Sequence, residues 1–204
     1  MIPVFKNRKN KAVTLSDGEV IWNSRSCAVV AQICLFSLVD HTWYILLGQR
    51  GTGTPDFQGY WGLPCGYLDW DETLCEAVIR EVWEECGLYL PELSTNANFV
   101  DANSSLVSSA PFSDEPWSIT DKTDNTKQNI SMHYAVFIGW KGEFPVLSNA
   151  FSEPNEVDNL AWVPMQKATQ LVLAFDHHKR ITKLLTEQQQ QFALFAQRVL
   201  ILKS

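Results

Sequence analysis

Three glutamates, Glu81, Glu84 and Glu85, stand close together in the stretch PCGYLDWDETLCEAVIREVWEECGL, residues 64–88. At 100° per residue they fall on one side of a helix, so three carboxylates share a small volume. Like charges held that close cost stability and raise one another's pKa. Two readings are open. Glu and Arg are good helix formers, and a charge run of this kind is often a solvated face. Alternatively a divalent cation offsets the repulsion, and oxygen donors without His or Cys favour Mg²⁺ or Mn²⁺ over zinc. A cation held there would neutralise charge on phosphoryl oxygens and lower the pKa of bound water, which is the chemistry of hydrolysis at phosphorus.

Such acids need a helix with fixed ends and a sheet to pack on. Thr73 and Glu76 have the spacing of a capping box, and Gly87 is a natural stop. Leu74, Val78 and Val82 recur every four residues and give that helix an apolar edge. Residues 27–39 and 43–49 are rich in β-branched and aromatic types and flank Asp40–His41, which predicts an antiparallel strand pair. A third strand is expected over 129–140, and shorter ones over 19–22, 98–102 and 160–163. Toward the C-terminus Pro164 and Asp176 suit helix starts. Thr186 with Gln189 reads as a further capping box, leading into Phe192, Phe195, Val199 and Leu202, a stripe that faces the core or a second subunit. A sheet with segregated helices is the α+β class.

The chain has 204 residues and a formal net charge of −7. That length closes one generous core, so a single domain over 1–204 is expected, with 1–20 as an N-terminal extension and 186–204 as a C-terminal helix. The negative field repels nucleic-acid backbone and anionic membrane, and no basic recognition helix is read after residue 165. No apolar segment is long enough to span a bilayer, and no apolar run follows the basic residues of the N-terminus. The five cysteines are odd in number and lack any C-x-x-C spacing, which reads as reduced core thiols in a cytoplasmic protein.

Gly66, Glu72, Arg80, Glu81, Val82, Glu84, Glu85, Gly87 and Leu88 fall without a gap on the pattern G-x5-E-x7-R-E-U-x-E-E-x-G-U, U being bulky and aliphatic. In this the chain resembles the Nudix hydrolase family, a resemblance that covers residues 25–185. The resemblance implies an α/β/α sandwich with a mixed β-sheet and a loop–helix–loop that holds metal ions against a pyrophosphate. It implies that Glu81, Glu84 and Glu85 bind Mg²⁺ (or Mn²⁺), that backbone oxygen near Cys65–Gly66 adds a ligand, and that Arg80 and Glu72 pair to hold the acidic helix in register. The general base is Glu81, Glu84 or a group outside the box. Family members often supply a further glutamate from a loop like 151–163, where Glu156 is the first choice and Glu153 the second; a solvated turn is the alternative.

Arg50, at an expected strand end, is a candidate phosphate contact, and Phe112 or Trp117 could stack on a nucleobase. Cys65 and Trp70–Asp71 replace residues more usual before and within the family's loop. A nucleophilic Cys65 is disfavoured by the lack of a nearby His in sequence. His177 and His178 are adjacent, so on a helix they diverge and cannot share one metal comfortably; the run Phe175–His177 is similar to segments of Nudix proteins related to ADP-ribose hydrolases. The expected substrate is a nucleoside diphosphate linked to another moiety, ADP-ribose first. The alternatives are a housecleaning nucleoside triphosphate pyrophosphohydrolase and a non-catalytic nucleotide sensor. The resemblance also implies a homodimer as one assembly.

Overall fold

The computed structural model describes residues 11–23, 27–69, 71–100, 115–123 and 128–202. In chain order the strands before the box helix are β1 Lys11–Thr14, β2 Val20–Asn23, β3 Cys27–Ser37, β4 Trp43–Arg50, β5 Trp61–Gly62 and β6 Cys65–Tyr67. Helix α1 spans Leu74–Cys86, followed by β7 Phe99–Val100, β8 Ser118–Thr123, β9 Gln128–Trp140 and β10 Val157–Pro164. Helices α2 Met165–Ala168, α3 His177–Glu187 and α4 Gln189–Ile201 close the chain.

Strand β3 is buried along nearly its whole length, as its unbroken apolar run CAVVAQICLFS predicts for a strand covered on both faces. It lies at the centre of a mixed sheet of order β10-β4-β3-β9-β7, with β5 on β4, β6 on β3 and β8 on β9. The β3–β4 pair is antiparallel, with Cys34 opposite Ile45, while β9 runs parallel to β3 from Cys27↔Ile130 to Ser37↔Trp140. Strands β1 and β2 form a separate two-stranded sheet.

Alternation sorts the side chains into two layers. Val29, Ala31, Ile33 and Leu35 of β3 join Tyr134, Val136 and Ile138 of β9 under Val78, Val82 and Cys86 of α1. Val30 and Cys34, on the opposite face, meet Ile181 and Leu184 of α3 and Phe192 of α4. Helices therefore cover both faces of the sheet, and the fold is the expected α+β sandwich.

The C-terminal expectations need revision. Thr186 begins no helix: it lies inside α3, where its hydroxyl donates to the Thr182 carbonyl, and α4 starts after Gln188. Phe192, Phe195 and Val199 face the core, but Leu202, just past the last residue of α4, is 59% exposed. The strand expected over 98–102 is Phe99–Val100, and 101–102 lie outside the described residues.

Candidate functional site

The box helix begins as its sequence predicts. Thr73 Oγ1 accepts from Glu76 N at 3.3 Å, and Glu76 Oε2 accepts from Thr73 N at 2.7 Å. A cap of this kind is worth roughly 1 kcal/mol. Gly87 ends the helix at φ 66°, where Cβ would be strained and would also collide with Ser148. Ser148 N donates to Cys86 O at 2.9 Å, and Phe151 stacks on Trp83 at 4.3 Å between ring centroids. These contacts pin the loop that precedes β10 onto the end of α1.

Arg80 is the hub, only 5% exposed. Its Nε donates to Glu72 Oε2 at 2.9 Å and its Nη2 to Glu72 Oε1 at 2.7 Å. Nη2 also reaches the Tyr67 carbonyl at 2.9 Å, while Nη1 donates to Glu81 Oε1 at 2.7 Å and Glu84 Oε2 at 3.1 Å. Burial works against its charge, but the bonds to Glu72 and the charge of Glu81 outweigh it and hold the guanidinium firmly protonated. Glu72 Oε1 accepts further from Asp69 N at 2.7 Å, so the pair fastens the loop before α1 to the helix.

The acids converge from α1 and from the loop that leads into β10, and meet the backbone of β6. Glu81 is 8% exposed and presses so closely on Gly66 of β6 that any Cβ there would overlap its carboxylate. Glu85 Oε2 accepts from Cys65 N at 3.1 Å. An extended residue directs its N–H and C=O to the same side, so the Cys65 carbonyl also faces the acids rather than β3. Glu156 arrives at the start of β10, where Gly51 N donates to its carbonyl at 2.7 Å and its Oε2 accepts from Glu153 N at 3.2 Å. A Cβ on Gly51 would strike the Asn155 carbonyl, so a bare backbone is what lets the two loops close. Glu153 is exposed.

The electrostatics carry the signature of crowding. Burial raises Glu81 to about 7 against the pull of Arg80, with the charges of Glu84 and Glu156 adding. Burial, then Glu81 and Glu156, raises Glu85 well above the usual range. Burial raises Glu156 too, with Glu153 and Glu84 contributing. Among the described residues no three His, Cys, Asp or Glu side chains form a ready-made metal cage, and Arg80 engages one oxygen each of Glu81 and Glu84. The donor set nevertheless fits Mg²⁺, which takes one or two carboxylates and completes its shell with water and phosphate rather than with a protein cage. The Cys65 thiol is pushed up by burial and then by Glu85, which argues against a nucleophile.

A pocket lies beside this cluster, with Arg50, Cys65, Glu85, Glu156, Phe175 and His177 in its walls. Arg50 ends β4; its Nε donates to the Asp56 carbonyl at 2.9 Å, and its guanidinium lies 4.8 Å from the Phe175 ring centroid. Trp117 is not among the pocket walls. It packs on the α3 side of the sheet, 6.4 Å from the His133 ring and 5.3 Å from Lys183 Nζ. Phe112 and Trp70 lie outside the described residues. Phe175 and His177 are wall residues to which the sequence assigned no role; the local sign was the F-D-H run, read for its likeness to segments of ADP-ribose-related Nudix proteins and for the inability of His177 and His178 to share a metal.

A profile of the NUDIX domain matches residues 29–186. The chain belongs to the Nudix family. Over 152 residues it is 28% identical to an ADPR-responsive transcriptional repressor, NtrR, of Acinetobacter baylyi, a match covering 74% of this chain. The chain spans about half the length of that curated relative (50%). The NUDIX domain of Shewanella oneidensis NrtR, solved with ADP ribose, has a TM-score of 0.52 at 21% identity and covers 81% of this chain and 89% of its own. A Francisella tularensis bifunctional NMN adenylyltransferase/ADP ribose pyrophosphatase, solved with AMP and a Mn ion, gives 0.56 at 21% identity over 80% of this chain and 42% of its own. These likenesses establish a shared Nudix fold. Among the described residues no helix is long and apolar enough to cross a membrane.

Proposed function

We propose that this Nudix chain is a hydrolase that cleaves the pyrophosphate of a nucleoside diphosphate linked to a second moiety, ADP-ribose or a close analogue, with Mg²⁺ or Mn²⁺. The observation that carries this reading is the meeting of the half-buried carboxylates of Glu85 and Glu156 with Arg50 in the walls of one pocket. The cation would be held by Glu81, Glu84, Glu85 and Glu156 with the Cys65 carbonyl; bound there, it neutralises phosphoryl charge and lowers the pKa of attacking water. Arg50 binds and orients the phosphate. Glu81 or Glu84, both held by Arg80, or a group outside the box, accepts the proton from water. Arg80 and Glu72 hold the two acids in place. The ADP-ribose preference is supported by the ligand-responsive repressor and the ADP-ribose-bound neighbour among the relatives.

A second reading, a nucleotide sensor without turnover, is favoured by one observation, the repressor named among the curated relatives. Against it, all the box acids are present here. The test is hydrolysis of ADP-ribose, NADH, dinucleoside polyphosphates, nucleotide sugars and nucleoside triphosphates with Mg²⁺, Mn²⁺ or EDTA. Metal-dependent cleavage of ADP-ribose-like compounds supports the first reading, and cleavage of triphosphates alone moves the assignment to a housecleaning enzyme. Binding without cleavage supports the sensor.

A further inference from the structure

His177 is the first residue of α3, yet it belongs to the pocket. Its Nδ1 accepts a hydrogen bond from Leu63 N at 2.9 Å. A backbone N–H can be accepted only by a nitrogen that carries a lone pair, so Nδ1 is unprotonated and the ring proton of the neutral imidazole sits on Nε2. Among the described residues no hydrogen bond takes up Nε2, while the ring forms part of the pocket wall beside Arg50 and Glu85.

The surrounding chain is shaped for this placement. Gly62 lets the ring approach, since a Cβ there would lie 3.3 Å from His177 Nδ1. Immediately before the ring, Phe175 and Asp176 hold left-handed backbone at φ 54° and 59°. For residues other than glycine that conformation costs about 1–2 kcal/mol each, and such strain gathers at functional sites. Here it turns Phe175 toward Arg50 and His177 toward Leu63. Satisfying the Leu63 N–H needs one acceptor; it does not need a second polar atom at the pocket wall.

We propose that His177 is a substrate-binding residue: its Nε2–H donates to a non-bridging phosphoryl oxygen lodged in the pocket, together with Arg50. This rests on the reading of the pocket as a phosphoanhydride site. Burial also keeps the ring uncharged, lowering its pKa to about 3, so the donor is present across the neutral range without adding a second positive charge. No proton is transferred; the imidazole orients the phosphate.

Two substitutions separate the ring's two nitrogens. Asparagine reproduces Nδ1 as an acceptor but does not reach as far as Nε2, so His177→Asn should melt close to the parent and raise KM about tenfold or more, the loss of one hydrogen bond to a charged oxygen. Glutamine places its amide N–H near Nε2 but abandons Leu63, so His177→Gln should lose stability and keep more of the affinity. An unchanged KM in a well-folded His177→Asn would overturn the proposal.

A readout independent of turnover is long-range ¹H–¹⁵N correlation of the His177 ring in the full chain, titrated with methylenebisphosphonate, an uncleavable pyrophosphate analogue, with and without Mg²⁺. The expected result is an Nε2-protonated tautomer whose Nε2 resonance shifts on titration. A proton on Nδ1, or a ring that does not move while neighbouring amides shift, or no shift anywhere, overturns it. A ring that shifts in a chain that cleaves nothing would leave the donor standing and remove only the hydrolase.

Discussion

Gly66→Ala tests the packing of β6 against the box helix with one methyl group. Gly66 is not among the glycines at positive φ, so the backbone accepts alanine and the effect is steric. The new Cβ would overlap Glu81 Oε1, Oε2 and the carboxylate carbon. To restore ordinary contact the carboxylate must move by roughly 1 Å. It cannot swing freely, because Arg80 Nη1 holds Oε1 at 2.7 Å and Arg80 is itself held by Glu72. A misplacement of about 1 Å at a reacting group costs on the order of 10²-fold in rate, about 2.7 kcal/mol of transition-state stabilisation. Turnover of the best substrate from the panel should therefore fall about a hundredfold, with the melting curve still cooperative. Glu81→Asp supplies the cross-check: the shorter acid makes room for the methyl, so the double mutant should lose less than the sum of the singles. Parental turnover in Gly66→Ala, or strict additivity in the cycle, would refute the reasoning.

Other perturbations follow from the same geometry. Arg80→Ala leaves Glu72, Glu81 and Glu84 without their shared cation and should cost about 3–5 kcal/mol in urea unfolding, with Mg²⁺ affinity by calorimetry down about 10–100-fold. Glu85→Gln can still accept from Cys65 N through its amide oxygen, so it should fold, lose metal-dependent turnover, and melt higher than the parent in EDTA at pH 8 because one repelling charge is gone. Full Mg²⁺-dependent turnover in that variant would remove the metal assignment. The metal-free chain should also lose stability with rising pH. Glu81, Glu85 and Glu156 hold protons more tightly folded than unfolded, so their penalty is absent below the unfolded carboxylate range and grows as pH climbs toward about 7. Thermal melts in EDTA from pH 5 to 8 should fall across that window and recover with Mg²⁺; a rise would contradict the burial of these acids.

The box helix was legible at both ends because its signals are local: Thr73 and Glu76 are three residues apart and close on each other, and Gly87 needs only its own backbone. The strands were legible as strands, since alternation reports which face is buried. It does not report a partner, so nothing in residues 27–39 announced that β3 would run parallel to β9. Thr186 misled because a Thr hydroxyl serves a cap or a preceding carbonyl equally well, and inside α3 it takes the Thr182 carbonyl. The acids that meet in space were found where they share a motif, and Glu156 was reached through its acidic loop. His177 escaped for a physical reason: its meaning lies in a hydrogen bond to Leu63, a residue far away in the chain, and in left-handed backbone at Phe175 and Asp176 that no glycine announces.

The parallel ladder between β3 and β9 joins residues more than a hundred positions apart, Cys27 with Ile130 at one end. Its closure is entropically expensive, and a chain built this way gains its central sheet late. During synthesis the acidic helix is made long before β9. Until the sheet forms beneath it, its carboxylates sit in water, where their mutual repulsion is slight. The repulsion arises only at the final docking step, when desolvation makes it felt. A cation that recognises only the assembled cluster would therefore leave the speed of folding nearly untouched and act as a latch, slowing the rate at which the finished molecule comes apart.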